Sequence, residues 1–237
     1  MSERHGIFDT ITSTLAPVHP DGHKFVAIAA AAALFFFLVW PPLAWILVVV
    51  ALGIAYFFRN PDRVTPLRDG LIIAPADGRV LSVSPVMPPA ELGLGAEQRV
   101  RISTFLSVLD VHILRSPAAG KVVRSVYVPG AFVNAALDKA SEDNERRAYI
   151  IERADGSEIA VVLIAGLVAR RIVSFAHEGD GVGAGERIGL IRFGSRADVY
   201  LPPGKNALVS EGQTMVAGET VLADLKSDEP ERVARRS

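Results

Sequence analysis

The chain has 237 residues, enough for one sizeable domain and an additional segment. Its formal net charge of −1 gives no support to nucleic-acid binding. The absence of cysteine excludes disulfides, thiolate catalysis and cysteine-based metal sites, and leaves the redox compartment undecided. The mean hydropathy of +0.31 is high for a soluble protein, and the excess apolar content lies in one stretch.

That stretch covers residues 25–58 and contains no charged side chain. Trp40-Pro41-Pro42 divides it, and two consecutive prolines do not occur inside a straight helix. One helix would be about 50 Å long against a hydrocarbon core of about 30 Å, whereas two helices of about 16 residues would each reach roughly 24 Å. The pattern predicts a helical hairpin that crosses or dips into a bilayer. A signal peptide and a buried core helix are the alternatives.

Basic residues flank the hairpin on both sides: Arg4 and Lys24 before it, and Arg59, Arg63 and Arg68 after it. A hairpin returns to the side it left, so both flanks can be cytoplasmic. We therefore expect an N-terminal cytoplasmic segment (1–23), a membrane anchor (24–58) and a main domain (59–237). The expected location is the inner membrane, with the main domain on the cytoplasmic side.

The remainder consists of short β-branched runs separated by Gly, Pro and Asp turns, with Asp77-Gly78 and Asp155-Gly156 as hairpin signals. Residues 131–140 alone have a helical pattern. The predicted class is mostly β (α+β), a compact barrel or sandwich. The predicted strands are 71–74, 79–84, 99–105, 120–128, 147–153, 158–164, 168–174, 187–193, 196–201 and 220–225.

An internal repeat relates EGDGVGAGERIGLI (178–191) to EGQTMVAGETVLAD (211–224). Each copy predicts a glycine turn followed by a short strand. Paired units of this kind resemble the half-barrels of biotinyl and lipoyl carrier domains. Carriers present a lysine at a hairpin tip between the halves, and here the one lysine between them is Lys205, in a Pro-Gly turn.

Gly-Ser occurs twice. Gly156-Ser157 lies in an ordinary polar turn, whereas Gly194-Ser195 lies inside the apolar run IGLIRFGSRADVYL. Glycine within a strand pattern marks a bulge, a close backbone approach or a strained peptide. The residues alone leave packing and chemistry open as explanations.

Five segments, in this order, resemble phosphatidylserine decarboxylases of the short prokaryotic branch. They are FFRNPDR (57–63), APADGRV (74–80), FLSVLDVHILRSPAAG (105–120), NAALDKASEDNER (134–146) and ERIGLIRFGSRADVYLP (186–202). The resemblance implies that Ser195 attacks the carbonyl of Gly194, cuts the chain into a large β chain and a small α chain, and becomes a pyruvoyl cofactor. Phosphatidylserine would then lose carbon dioxide through a Schiff base with that group, giving phosphatidylethanolamine.

The resemblance also implies roles for His112 as a base and for Asp77 as the group that orients or assists it, giving an acid–base–nucleophile set with Ser195. The longer branch of the family has a second histidine three positions after the first, where this chain has Arg115, so the base for self-cleavage is left open between His112 and Asp77. Without the resemblance, His112 would be a core residue and Asp77 a turn residue.

Three arginines are candidate partners for the substrate phosphate, namely Arg115, Arg170 and Arg171, with exposed strand-edge charges as the alternative. His177 is expected at the surface. No metal or nucleic-acid partner is expected, and a homo-oligomer is left open. The competing functions are a carrier-like adaptor, whose chain would stay intact, and a serine hydrolase that uses Asp77, His112 and Ser195.

Overall fold

The structure is a computed structural model, and it describes residues 16–130, 143–166, 171–192, 195–232 and 234–235. The chain forms two compact units, one that extends to Asp62 and one from Arg63 onward. Where described, the first is helical and the second consists mainly of β-strands.

Two apolar helices form the first unit: α1, Pro20–Val39, and α2, Pro41–Phe57. Each begins with proline, whose missing amide hydrogen costs no intrahelical bond at that position. The predicted break at the two prolines is therefore confirmed. α1 starts at Pro20 rather than at Phe25, because its polar first turn continues the helix beyond the apolar run. With 20 residues, α1 is long and apolar enough to cross a membrane, whereas α2 has 17 residues.

Backbone hydrogen bonds join the two flanks of the helix pair. The His19 amide donates to the Phe58 carbonyl at 2.8 Å, and the Asn60 amide donates to the Pro17 carbonyl at 2.7 Å. The rings of Phe25 and Phe58 stack with centroids 5.6 Å apart. Both flanks therefore leave the pair at the same end. Apolar side chains such as Leu38, which is 88% exposed, cover its surface, and this favours membrane association.

The second unit contains thirteen strands in its described residues, all antiparallel where paired. In chain order they are β1 Leu71–Ile73, β2 Gly78–Val86, β3 Arg99–Leu106, β4 Ile113–Arg115, β5 Gly120–Val128, β6 Arg146–Glu152, β7 Glu158–Ala165, β8 Ile172–Ser174, β9 Gly181–Val182, β10 Arg187–Ile191, β11 Ser195–Tyr200, β12 Thr214–Met215 and β13 Val221–Asp224. A short 3₁₀ helix, Ala90–Leu92, follows β2.

Eight strands form one curled sheet in the order β12-β2-β3-β11-β7-β6-β5-β9, while β4-β10-β8 and β1-β13 form two smaller sheets. Side chains alternate between the two faces of each strand. Along β11, Ala197 and Val199 belong to the main core and Tyr200 to a smaller cluster on the other face. The predicted mostly-β class is confirmed.

The two predicted glycine turns adopt the same structure. Residues 178–191 form β9 and β10, and residues 211–224 form β12 and β13. Their glycines occupy the left-handed region at matching positions, which other residues reach only with strain. The φ angles are 97° at Gly179 and 83° at Gly212, and 75° at Gly185 and 78° at Gly218.

The repeat extends to a second pair of segments, APADGRV (74–80) and SPAAGKV (116–122), that sequence analysis did not connect. Each packs on its own glycine turn through matching amide–carbonyl bonds: Gly212 to Val80, Gly179 to Val122, Gly218 to Ala74 and Gly185 to Ser116. The halves meet where the Ile73 amide donates to Pro117 and the Arg115 amide donates to Pro75, both at 2.8 Å. These equivalent bonds relate the two halves by an approximate two-fold axis.

Every predicted strand corresponds to a strand in the structure, although only 172–174 of the predicted 168–174 is described as strand. The strands missed were β4, β9 and β12, which have three, two and two residues and are too short to show a pattern. The helix predicted at 131–140 lies outside the described residues.

Candidate active site

Ser195 is the first residue of β11, an inner strand of the eight-stranded sheet. It lies opposite Leu106, the last residue of β3, and Ala165, the last residue of β7. Its side chain is fully buried, and strand alternation points it toward the main core, as for Ala197. Gly194 lies outside the described residues. The strands predicted on either side of Gly194, β10 and β11, belong to different sheets.

The Ser195 hydroxyl makes no hydrogen bond with any described residue. A buried polar group without a partner costs about 1–3 kcal/mol. Most buried side-chain polar atoms have a partner, so an exception needs a reason.

His112 is fully buried and directly precedes β4. Its Nδ1 lies 2.9 Å from the Asp110 carbonyl oxygen. Because a carbonyl can only accept, the Nδ1 atom carries the hydrogen, and Nε2 of the neutral ring has the lone pair. The ring is therefore held in the tautomer that can accept a proton at Nε2.

His112 and Ser195 are linked through their neighbours β3 and β10, and they do not hydrogen-bond to each other through the Ser195 hydroxyl. The Ile191 amide, at the end of β10, donates to the His112 carbonyl at 3.2 Å. Ser195 lies opposite Leu106. Residues 107–111 therefore join Leu106, which lies opposite Ser195, to His112, whose carbonyl bonds to the end of β10.

Asp77 directly precedes β2, and its carboxylate is held from two sides. Arg63 Nη2 donates to both oxygens at 2.8 and 3.0 Å, and the Ala217 amide donates to Oδ1 at 2.8 Å. The Arg115 amide, on β4, donates to the carbonyl of Pro75, two residues before Asp77. Among the described residues, the Asp77 carboxylate bonds to Arg63 and to the Ala217 amide.

The candidate phosphate partners differ in environment. Arg115 is 7% exposed, and its Nη1 donates to the Gly185 carbonyl at 2.7 Å. Arg171 is exposed, and Arg170 lies outside the described residues.

His177 is exposed, as predicted. No cluster of three or more His, Cys, Asp or Glu side chains that could hold a metal ion occurs in the described part of the chain.

Sequence analysis missed two residues that support the site. Arg63, in FFRNPDR, was treated only as a basic flank. Asn144 is fully buried, and its side-chain amide donates at 2.7 Å to the carbonyl of Ala165, which lies opposite Ser195. Both residues occur in segments that carried the family resemblance, but only the tertiary contacts assign them a role.

The other face of β11 carries a buried ion pair. Arg196 Nε donates to Asp198 Oδ1 at 2.7 Å, and Arg196 Nη2 donates to Ser103 Oγ on β3 at 2.8 Å. Burial, with a smaller contribution from the Asp198 charge, raises the pKa of Tyr200 to about 12. Side chains as well as backbone bonds therefore fix β11, with Ser195 at its start, in the sheet.

The two-fold repeat is broken at this site. Asp77 in the first half corresponds to Ala119 in the second, because APADGRV aligns with SPAAGKV. The same alignment places Gly70 where the second half has His112. The candidate acid and base thus have no counterpart in the symmetry-related positions, Ala119 and Gly70.

Comparison with known proteins defines the chain as a carboxy-lyase. The model of the phosphatidylserine decarboxylase family matches residues 50–223. The phosphatidylserine decarboxylase proenzyme of Nitrobacter winogradskyi is 55% identical over 217 residues, which cover 92% of this chain and 88% of the relative. That of Cereibacter sphaeroides is 55% identical over 224 residues, covering 94% and 97%. The chain belongs to the phosphatidylserine decarboxylase family, as the five segments indicated.

Proposed function

We propose that this chain decarboxylates phosphatidylserine to phosphatidylethanolamine after it cuts its own backbone between Gly194 and Ser195. The observation that carries the proposal is the Ser195 hydroxyl, which is buried at the start of an inner strand and makes no hydrogen bond with a described residue. Family membership supports the reaction. It also makes the carrier-like adaptor and the serine hydrolase the weaker alternatives.

The cut begins when Ser195 Oγ attacks the Gly194 carbonyl carbon and loses its proton to a base. The amide C–N bond breaks, the nitrogen takes up a proton, and an ester joins the two residues. Loss of the Cα proton of residue 195 then expels the Gly194 carboxylate and leaves dehydroalanine. Addition of water releases ammonia and leaves a pyruvoyl group, so one water is consumed for two chains and one ammonia.

A pyruvoyl group supplies an electron-withdrawing carbonyl that takes up the electron pair when carbon dioxide leaves. The residues present fit such a group, because position 195 starts a strand and its side chain has no bond to a described residue that conversion would break. Asn144 holds the neighbouring strand through Ala165, and the Arg196–Asp198 pair holds β11 itself.

His112 is the proposed base, because its Nε2 can accept the Ser195 proton while the Asp110 carbonyl holds Nδ1–H. Asp77 is proposed to act on the same site through its position beside β4. Its bond to Arg63 keeps the carboxylate in place. The candidates for binding the substrate phosphate remain Arg115, Arg170 and Arg171. One nitrogen of Arg115 already donates a hydrogen bond to the Gly185 carbonyl.

The cut leaves a small chain that begins at residue 195 and carries β11, β12 and β13. These strands pair with β3 and β7, with β2 and with β1, all on the large chain. The two chains are therefore proposed to remain one folded unit. We place that unit on the cytoplasmic side of the inner membrane, because Arg59, Arg63 and Arg68 follow a hairpin that returns to its starting side.

The proposal is tested by denaturing electrophoresis of wild-type protein and of Ser195→Ala. Wild type should give a large piece and a small piece, and Ser195→Ala should give one intact chain. Thr104→Val is the matched control, because the Thr104 hydroxyl on adjacent β3 is also buried without a partner among the described residues. Thr104→Val should cleave fully. Full decarboxylase activity in an uncleaved wild-type preparation would refute the mechanism.

A further inference from the structure

The turn between β3 and His112 exposes two adjacent apolar side chains. Val108 is 56% exposed and Leu109 is 66% exposed. The two residues lie only a few positions after Leu106, which is opposite Ser195, and just before His112. An apolar tip therefore lies in the segment that joins Leu106, opposite the candidate nucleophile, to the candidate base.

The polar residues of this turn hold it in shape. The Ser107 amide donates to the Asp110 carboxylate at 2.7 Å, and the Asp110 amide donates to the Ser107 carbonyl at 3.0 Å. The Leu109 amide donates to Ser107 Oγ at 3.3 Å. The polar groups of Ser107 and Asp110 thus bond within the turn while Val108 and Leu109 face solvent.

The positively charged side chain of Arg79 lies next to the turn. Arg79 shares a cleft with Gly78, Phe105, Ser107, Asp110 and Thr214. Its side chain is exposed and forms no ion pair with any described residue. The Asp110 carboxylate in the same cleft already accepts the Ser107 amide. The tip thus combines two apolar side chains with a positive charge, which suits an anionic lipid surface.

We propose that the 107–110 turn inserts Val108 and Leu109 among the lipid headgroups of an anionic bilayer, with Arg79 against a lipid phosphate. The proposal rests on the proposed function for the identity of the neighbouring site. A stable protein interface buries about 800 Å² on each partner, far more than two side chains supply, whereas a bilayer accepts a two-residue tip. The chain also carries an apolar helix long enough to cross a membrane, which favours a bilayer as the partner of the turn. Insertion would hold the site at the depth of the lipid headgroup.

The test uses the absence of cysteine in the chain. Leu109→Cys and Val108→Cys, each in the full-length protein, are labelled with a solvent-sensitive dye and reconstituted into phosphatidylcholine vesicles containing phosphatidylserine. The control is Met87→Cys, because Met87 is 53% exposed and follows β2 at the opposite end of the sheet. Dye at 108 and 109 should shift to the blue and be quenched by headgroup-depth lipid quenchers, unlike dye at 87.

The same labelled proteins carrying Ser195→Ala should give the same quenching, so failure of self-cleavage is separable from failure of insertion. Arg79→Gln should weaken quenching on anionic vesicles but not on neutral ones. Val108→Ser with Leu109→Ser should lower turnover on vesicles about tenfold. Equal quenching at 87 and 109, or shielding of the dye only by added protein, would overturn the proposal.

Discussion

Arg63 and Asp77 form a two-oxygen ion pair at 2.8 and 3.0 Å, with both side chains 15% exposed. The second unit begins at Arg63, so its first residue holds a candidate catalytic carboxylate. The sequence suggested that Asp77 orients His112, whereas the described contacts direct its carboxylate to Arg63 and the Ala217 amide.

Asp77→Asn should slow self-cleavage and destabilise the protein by about 1–3 kcal/mol, because it leaves the half-buried Arg63 without its countercharge. The control is Arg232→Met. Arg232 is 52% exposed and its partner Glu229 is 40% exposed, so its loss should leave the free energy of unfolding almost unchanged. Unfolding midpoints and cleavage rates of Asp77→Asn, Arg63→Met and the double variant give the interaction free energy between the two side chains. Additive effects of the two substitutions would show that the pair does not act as a unit.

His112→Ala should reduce self-cleavage by about 100-fold or more, because a positioned general base contributes that much. The rate is measured by the disappearance of the intact chain on denaturing gels. His177→Ala is the control, since the His177 side chain is 74% exposed. If His112→Ala cleaves and turns over at the wild-type rate, His112 is a core residue without a chemical role.

Tyr200 gives a pH dependence of stability. Its pKa is raised from 10.0 to about 12 by burial and by Asp198. A raised pKa contributes stability that is present below pH 10 and is lost as the pH rises toward 12, because the unfolded chain releases the proton first. The loss is about 2–3 kcal/mol. Between pH 9 and pH 11, the thermal midpoint of the wild type should therefore fall further than that of Tyr200→Phe. An equal fall in both proteins would contradict the assignment.

A chain that begins at Arg63 should still cleave itself, because the reaction is intramolecular. It should lose most of its activity on intact vesicles yet retain much of it on detergent-dispersed lipid, since the anchor raises the local substrate concentration. Equal activity of truncated and full-length protein on vesicles would remove this role of the helix pair.

Reporter tags before Pro20 and after Phe57 should label from the same side, and labelling from opposite sides would mean a single crossing.

The helix pair and most strands were predictable, because apolar runs, paired prolines and glycine turns are local signals. The start of α1 was not, since His23 and Lys24 are polar and the apolar pattern begins after them. The repeat was found where glycine spacing is regular, but APADGRV and SPAAGKV are only seven residues long, too short to be recognised without their matching hydrogen bonds.

Within the site, Gly194-Ser195 and His112 stood out through the motif context, and the structure adds the burial of Ser195 and of His112 and the His112 tautomer. The partner of Asp77 and the role of Asn144 could not be predicted. Both depend on side chains that meet across the fold: Asn144 reaches Ala165 on another strand, and Asp77 meets Ala217 from the second glycine turn.

The mass of the small chain released from purified wild-type protein tests the central claim most directly. The account predicts a fragment that spans 195–237 and is lighter, by one ammonia molecule, than the same fragment with an N-terminal serine. It also predicts that this fragment resists Edman sequencing, because a pyruvoyl group has no amine. An intact chain of full mass in an active preparation, or a fragment with a free serine amine at 195, would contradict it.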